Sequence, residues 1–358
     1  MSLTSILNEK DSFPRRFIDE RFPHLRTLSR ECNRTLRSRG LIKLAPIHEH
    51  KVVSMLVGTA VDYRVRAYFR RHIHKTNAVM HGLTFLCNLK EFERPYIDPE
   101  RNTNIEAIGD GWYWEEFEVT ENPWYWRRRR RVAERLLSSF GNFVAKVKPE
   151  RRRLAPEAEE RFCRYCILFA YLDFIGRSPY GNSAVERMVL LGSPKVGNML
   201  RAVDANIVAD VVALSTKFYE QQSGAIKKFK KVAIGGILEG SGDIGGADFD
   251  LIVDGCLMEL KTTLQPKITT AHLRQLVGYW LLDYHDAWRL RSASITLVRH
   301  GHTQHFDVYR DLVGSNSEIS AVRSEFRRVI QGTAKLERAS ITPGELRCTQ
   351  PGQRTLQR

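Results

Sequence analysis

The 358-residue chain has no apolar run approaching the ~20 residues that a membrane-spanning helix needs. Its start, MSLTSILNEKDSF, lacks the basic stretch and following apolar core of a secretory signal. Cysteine is scarce, with six scattered at 32, 87, 163, 166, 256 and 348, so no disulfide framework is expected. These absences predict a cytoplasmic protein without a membrane partner. No internal repeat and no low-complexity tract is present, which excludes a solenoid. No helicase or ATPase motif is present either, so any strand separation would come from a partner. Acidic residues are also short, at 41 Asp and Glu against 56 Lys and Arg, a net charge of +15. That balance favours polyanionic partners, nucleic acid above all, through phosphate contacts and counterion release. The length fits one elaborated domain or two ordinary ones, and 42% hydrophobic residues suffice for a core.

One segment concentrates what the rest spreads thinly. Residues 246–263 read GADFDLIVDGCLMELKTT, with four carboxylates and a lysine among apolar residues. Asp254-Gly255 between two strand-like runs predicts a two-residue hairpin turn, because both turn positions need positive φ. That turn sets Val253 against Cys256, Ile252 against Leu257 and Leu251 against Met258. Extended outward, Asp250 faces Glu259 and Asp248 faces Lys261, all four on one face. Phe249, Leu251, Val253, Met258 and Leu260 then form a core face. Opposed like charges destabilise a strand pair, so Asp250 and Glu259 need compensation. A hard divalent cation shared by both would supply it. A solvated face on which Lys261 neutralises Asp248 is the other reading that the geometry allows.

At these residues the sequence resembles the PD-(D/E)XK phosphodiesterase superfamily, marked by an acid on one strand and Glu/Asp-x-Lys on the next. Here these are Asp250 and Glu259-Leu260-Lys261. Downstream, AHLRQLVGYWLLDYHDAW (271–288) has amphipathic-helix spacing at Leu273, Leu276, Val277, Trp280, Leu281 and Tyr284. Gln275 and Tyr279, four apart, share the face away from that stripe, which predicts a solvated position beside the strands. This Gln-x-x-x-Tyr resembles the motif of the RecB-like branch, which includes exonucleases acting on DNA ends. That branch has an earlier helix with Gly-x-x-x-His or an acid in the last position. VGTAVDYRVRAYF (57–69) offers Gly58 and Asp62, although Asp62 and Arg66 also read as a helix-surface pair. Glu220 and Glu239 are weaker candidates for the same role.

The resemblance implies a restriction-endonuclease-like α/β core, a mixed sheet flanked by helices, and a nuclease using Mg²⁺ or Mn²⁺ on nucleic acid, with DNA favoured. Asp250 and Glu259 would hold the metal, with the Leu260 backbone carbonyl and Asp62 as further ligands. Lys261 would orient the attacking water and offset transition-state charge. Gln275 and Tyr279 would hold the scissile strand. Asp248 would support Lys261 or hold a second ion. Non-catalytic nucleic-acid binding on the same scaffold is the alternative. Some RecB-like relatives hold an iron–sulfur cluster and need three cysteines near the C-terminus. Only Cys348 lies there, so no cluster is expected, and Cys163-x-x-Cys166 reads as part of a buried helix.

Around this core the chain divides into a helical, basic segment (1–45) and a nuclease-like domain (46–335) with its catalytic core at about 232–300. An aromatic, basic insertion falls at about 84–160, and a loosely ordered tail at 336–358. Within the insertion, WYWRRRRR sets Trp124 and Trp126 beside Arg127, Arg128, Arg129, Arg130 and Arg131, a composition suited to stacking on bases and binding phosphates. GSGDIG (240–245) matches a dinucleotide fingerprint but leads into a strand instead of opening a helix. LVRHGHT (297–303) resembles a phosphohistidine signature, yet too little chain follows it for that domain; Arg299 and His300 remain possible phosphate contacts.

Overall fold

A computed structural model describes residues 3–46, 51–71, 73, 95–98, 103–106, 123–177, 195–244, 246–314 and 319–340; side chains at 51–52, 95–98, 103–106, 123–133, 175–177, 319–320 and 333–340 are outside the description. Three helices open the chain: α1 (Leu3–Asn8), α2 (Phe13–Arg21) and α3 (Leu25–Ser38). Then comes α4 (Lys51–Phe69), which carries Gly58 and Asp62. Strands β1 (Pro95–Asp98) and β2 (Thr103–Glu106) form a separate antiparallel pair. Four helices follow: α5 (Pro123–Val147), α6 (Pro156–Arg177), α7 (Val196–Ala202) and α8 (Ala205–Lys228).

A mixed five-stranded sheet occupies the C-terminal half, with strands β3 (Val232–Ile234), β4 (Leu251–Val253), β5 (Cys256–Lys261), β6 (Ser292–Leu297) and β7 (His302–Asp307) in that spatial order. All neighbours are antiparallel except β5 and β6, which run parallel. Parallel neighbours need a crossover, and here it is α9 (Thr270–Leu282). Helix α10 (Ile319–Ser340) follows the sheet.

The β4–β5 hairpin has the expected register: Val253 pairs with Cys256, Ile252 with Leu257 and Leu251 with Met258. Asp254 and Gly255 take φ of 48° and 80°, the left-handed conformation that this turn requires. The Asp254 carboxylate also accepts the backbone N–H groups of Lys230 and Lys231, which ties the turn to the entry of β3.

The expectation of one core face and one polar face fails. Both faces of the sheet are buried. On one side Val232, Ile234, Leu251, Val253, Met258 and Leu260 join a core built from α4, α5, α6, α7 and α8. On the other, Ala233, Ile252, Leu257, Ala293, Ile295 and Leu297 meet α9, which is itself covered by α1, α2, α3 and α10. Phe249 belongs to this second core, not to the first with Leu251. Regular pairing of β4 stops at Leu251, and Asp250 lies in a bend, so strict alternation cannot be carried past it.

Helix α9 is held by a capping box. The Thr269 hydroxyl accepts the His272 N–H, and His272 Nδ1 accepts the Thr269 N–H. Every residue from Leu273 to Leu282 is buried, so Gln275 and Tyr279 are not on a solvated face. Gln275 and Tyr279 face Lys261 and the Asp248 carbonyl, while the N-terminal helices close the neighbouring side: Arg274 pairs with Asp19 of α2, and Gly278 packs against Leu3 and Leu7 of α1. Among the described residues, no helix is long and apolar enough to cross a membrane.

Candidate active site

Strand β5 delivers Glu259 and Lys261 to the side facing α9, two residues apart as the pleat dictates. Lys261 Nζ lies 2.6 Å from Glu259 Oε1 and 3.0 Å from Gln275 Oε1. Gln275 Nε2 donates to the Tyr279 hydroxyl at 3.2 Å, and that hydroxyl donates to the Asp248 carbonyl oxygen at 2.9 Å. One hydrogen-bonded chain thus runs from the end of β5 through α9 to the segment before β4.

Asp250 closes the group from the bend just before β4. Its Oδ2 accepts the Leu260 N–H at 3.0 Å, and its Oδ1 accepts from Arg66 at 3.3 Å. Arg66 donates from Nε to Asp62 Oδ1 at 2.9 Å and also pairs with the second Asp62 oxygen. Asp62 therefore stands beside residues nearly two hundred positions away. Helix α4 reaches β5 because Gly58 carries no side chain: a Cβ there would sit 2.8 Å from Thr262 Oγ1, inside normal contact distance.

Three carboxylates face two cations, which leaves one formal negative charge in a buried place. The consequences are visible in the acids. Burial, then the charge on Asp250, pushes the Glu259 carboxyl up to about 7. Burial, with Asp250 and Glu259 adding, outweighs Arg66 and raises the Asp62 carboxyl well above its ordinary value. Burial works against the Lys261 ammonium, but Glu259, Asp250 and Asp62 outweigh it and hold its pKa above the usual lysine value. The lysine stays charged while the acids compete for protons.

Glu259 Oε2 is buried and meets no hydrogen-bond partner among the described residues. A lone buried acceptor of this kind costs about 1–3 kcal/mol, and a cation entering there would relieve that cost. Among the described residues no group of three or more His, Cys, Asp or Glu side chains is arranged to enclose an ion. Arg66 is paired with Asp62 and with one oxygen of Asp250, and Lys261 with one oxygen of Glu259.

Other candidates fall elsewhere. Asp248 forms an isolated bridge with Ile237 and offers its carbonyl to Tyr279, so it does not sit in register opposite Lys261. The bend at Asp250 is the cause. Glu220 pairs with Arg153, and Glu239 pairs with His285, both toward solvent. Arg299 is buried in a two-toothed pair with Asp210 and donates to the Thr262 carbonyl, so it braces the scaffold. Cys163 and Cys166 lie fully buried in α6, where burial pushes both thiols up. The side chains of Trp124, Trp126 and Arg127 to Arg131 lie outside the described residues, although the helix carrying them is α5.

The sequence reading missed two participants. Helix spacing pairs Arg66 with Asp62 alone, yet in the structure it bridges to Asp250. His272 stands close enough to Lys261 to feel its charge; burial first, then that ammonium, lowers its pKa to about 4. Its Thr-x-x-His spacing could have marked it as part of a helix cap.

Comparison with protein-family models, curated proteins and solved structures returns no match. The functional reading therefore rests on the residues themselves.

Proposed function

We propose that this chain is a Mg²⁺- or Mn²⁺-dependent nuclease that hydrolyses phosphodiester bonds of nucleic acid, with DNA as the favoured substrate. The same reading takes the three-strand meander, the crossover helix and the parallel β6 as a restriction-endonuclease-like core of the RecB-like PD-(D/E)XK type. The observation that carries it is the meeting of Asp62, Asp250, Glu259, Lys261, Gln275 and Tyr279 in one connected, acid-rich cluster. A purely structural ion-pair network has no need of surplus negative charge or of an orphaned carboxylate oxygen.

Asp250 and Glu259 would hold the cation, with Asp62 and the Leu260 carbonyl completing its ligands. When bound, the cation polarises a phosphoryl oxygen and lowers the pKa of a water. Lys261 keeps its proton, orients the attacking water and offsets charge developing on phosphorus. Gln275 fixes the Lys261 ammonium against the pull of Glu259, and Tyr279 anchors Gln275 to the backbone before β4. Arg66 holds the two aspartates together without a metal and must yield part of Asp250 to an arriving cation.

The test is incubation of purified protein with linear, circular and single-stranded DNA and with RNA, each with Mn²⁺ or with EDTA. Cleavage that needs Mn²⁺ and disappears in Glu259→Ala supports the proposal; undiminished cleavage by that variant sinks it. The grip of Arg66 on both aspartates favours a second reading, nucleic-acid binding without catalysis on the same scaffold. That reading predicts DNA binding with no cleavage and no thermal shift with either metal.

A further inference from the structure

Helix α3 buries Leu25, Ser29, Cys32 and Leu36 along one stripe. The opposite stripe, four, four and three residues apart, is Arg26, Arg30, Arg34 and Arg37, and all four are exposed. Arg26 has a distant carboxylate at 3.9 Å in Asp19, and Arg37 donates to the Asn33 carbonyl. Arg30 and Arg34 have no acidic partner among the described residues. The only acid on the helix, Glu31, does not offset four guanidinium groups. Self-repulsion along a helix is unfavourable, so an unneutralised stripe of this kind needs another explanation than helix stability.

The stripe is tied to the candidate active site by a rigid link. From the buried side of α3, Ser29 donates to the Ile268 carbonyl at 2.8 Å. Asn33 clamps the same residue twice, donating to its carbonyl at 2.8 Å and accepting its N–H at 2.9 Å. Ile268 lies in the loop that joins Lys261 on β5 to Gln275 on α9. Any load on α3 is therefore held in fixed register with that loop. Successive arginines rise by about 6 Å along the helix axis for the first two steps and about 4.5 Å for the last, the scale of neighbouring phosphates along one strand.

We infer that the arginine face of α3 is a track for the phosphate backbone of DNA, guiding a strand toward the loop after Lys261. The inference rests on the nuclease reading for its choice of polyanion. Charge complementarity selects the occupant: guanidinium groups match phosphates in geometry as well as sign.

The experiment measures binding of a labelled 30-nucleotide single strand and its duplex in EDTA, by anisotropy over a range of salt. The variant is Arg30→Gln/Arg34→Gln/Arg37→Gln, which keeps helix propensity. An equal charge loss at exposed sites elsewhere, Arg152→Gln/Arg161→Gln/Lys228→Gln, is the control. The expected result for the α3 variant is affinity lower by about tenfold or more, with a salt slope shallower by about 2–3; the control changes much less. Equal losses in both variants, or none in the α3 variant, overturn the track. So does binding of the parent to anionic lipid vesicles in preference to DNA. Parallel Mn²⁺ cleavage assays separate the two ideas: a parent that binds DNA through α3 but never cuts it refutes the nuclease reading alone.

Discussion

Two kinds of buried charge sit within this molecule. Arg64 and Glu159 meet at 2.6 and 2.9 Å, and Arg299 and Asp210 at 2.9 and 2.6 Å, each one acid to one arginine with both oxygens used. Asp62, Asp250 and Glu259 share only Arg66 and Lys261. Burial alone would raise the Glu159 carboxyl, but Arg64 outweighs it and its pKa falls below the ordinary value. Glu259 goes the other way, to about 7. The Arg64 plane also stacks 3.8 Å from the Tyr68 ring centre, which fixes it further. In the two one-to-one pairs both acid oxygens are engaged and the pairs brace the layers that carry the site, whereas Glu259 Oε2 in the cluster has no hydrogen-bond partner among the described residues. Charge balance, more than burial, separates the two groups here.

The largest expected effect breaks the comparison on the cluster side. Glu259→Ala or Lys261→Ala should lower Mn²⁺-dependent DNA cleavage by about a thousandfold or more, a loss of ~4 kcal/mol in transition-state stabilisation. Far-UV circular dichroism should stay unchanged. Retained cleavage in both variants would mean that the cluster is not catalytic. On the scaffold side, Arg64→Ala leaves Glu159 charged and buried, with an expected cost of about 3–5 kcal/mol in urea unfolding. A loss below ~1 kcal/mol would show that this pair is not the brace described.

A finer distinction comes from pH. Between about pH 4.5 and 7 the folded chain holds a proton on Glu259 that the unfolded chain releases, so metal-free stability falls as pH rises through that window. Glu259→Gln lacks this contribution. It should match the parent near pH 4.5 and exceed it at pH 8 by about 1–3 kcal/mol in urea unfolding. Mn²⁺ should raise the parent melting temperature at pH 8 and leave the variant unmoved. A variant less stable than the parent at pH 8 would contradict the surplus of negative charge. The smallest effect belongs to Tyr279→Phe, which removes the hydroxyl between Gln275 and the Asp248 carbonyl. We expect about 1 kcal/mol of lost stability and roughly tenfold slower cleavage.

Legibility from sequence followed the range of the interaction. The hairpin register was readable because Asp254-Gly255 is a local device whose φ angles admit few alternatives. The shared face of Glu259 and Lys261 followed from strand periodicity over two residues, but their ion pair did not, since the register set Lys261 opposite Asp248. Extrapolation past Leu251 misplaced Asp248 and Phe249, because a bend at Asp250 resets the alternation. The burial of Gln275 and Tyr279 was hidden as well. Their helix reads as amphipathic alone, yet these two side chains face the end of β5 and the segment before β4, and α1, α2 and α3 from the far end of the chain pack on other sides of the helix.

The chain by itself determined the turn, the register at its base and the spacing of Glu259, Lys261, Gln275 and Tyr279, since each depends on backbone preferences within a few residues. Tertiary structure alone decided that α4 brings Asp62 and Arg66 to Asp250. It also decided that the acids outnumber their cations in that space and that Glu259 is buried there. Those outcomes are sums over distant neighbours: a pKa follows from every charge and every layer of protein within reach, which only the packed helices bring together.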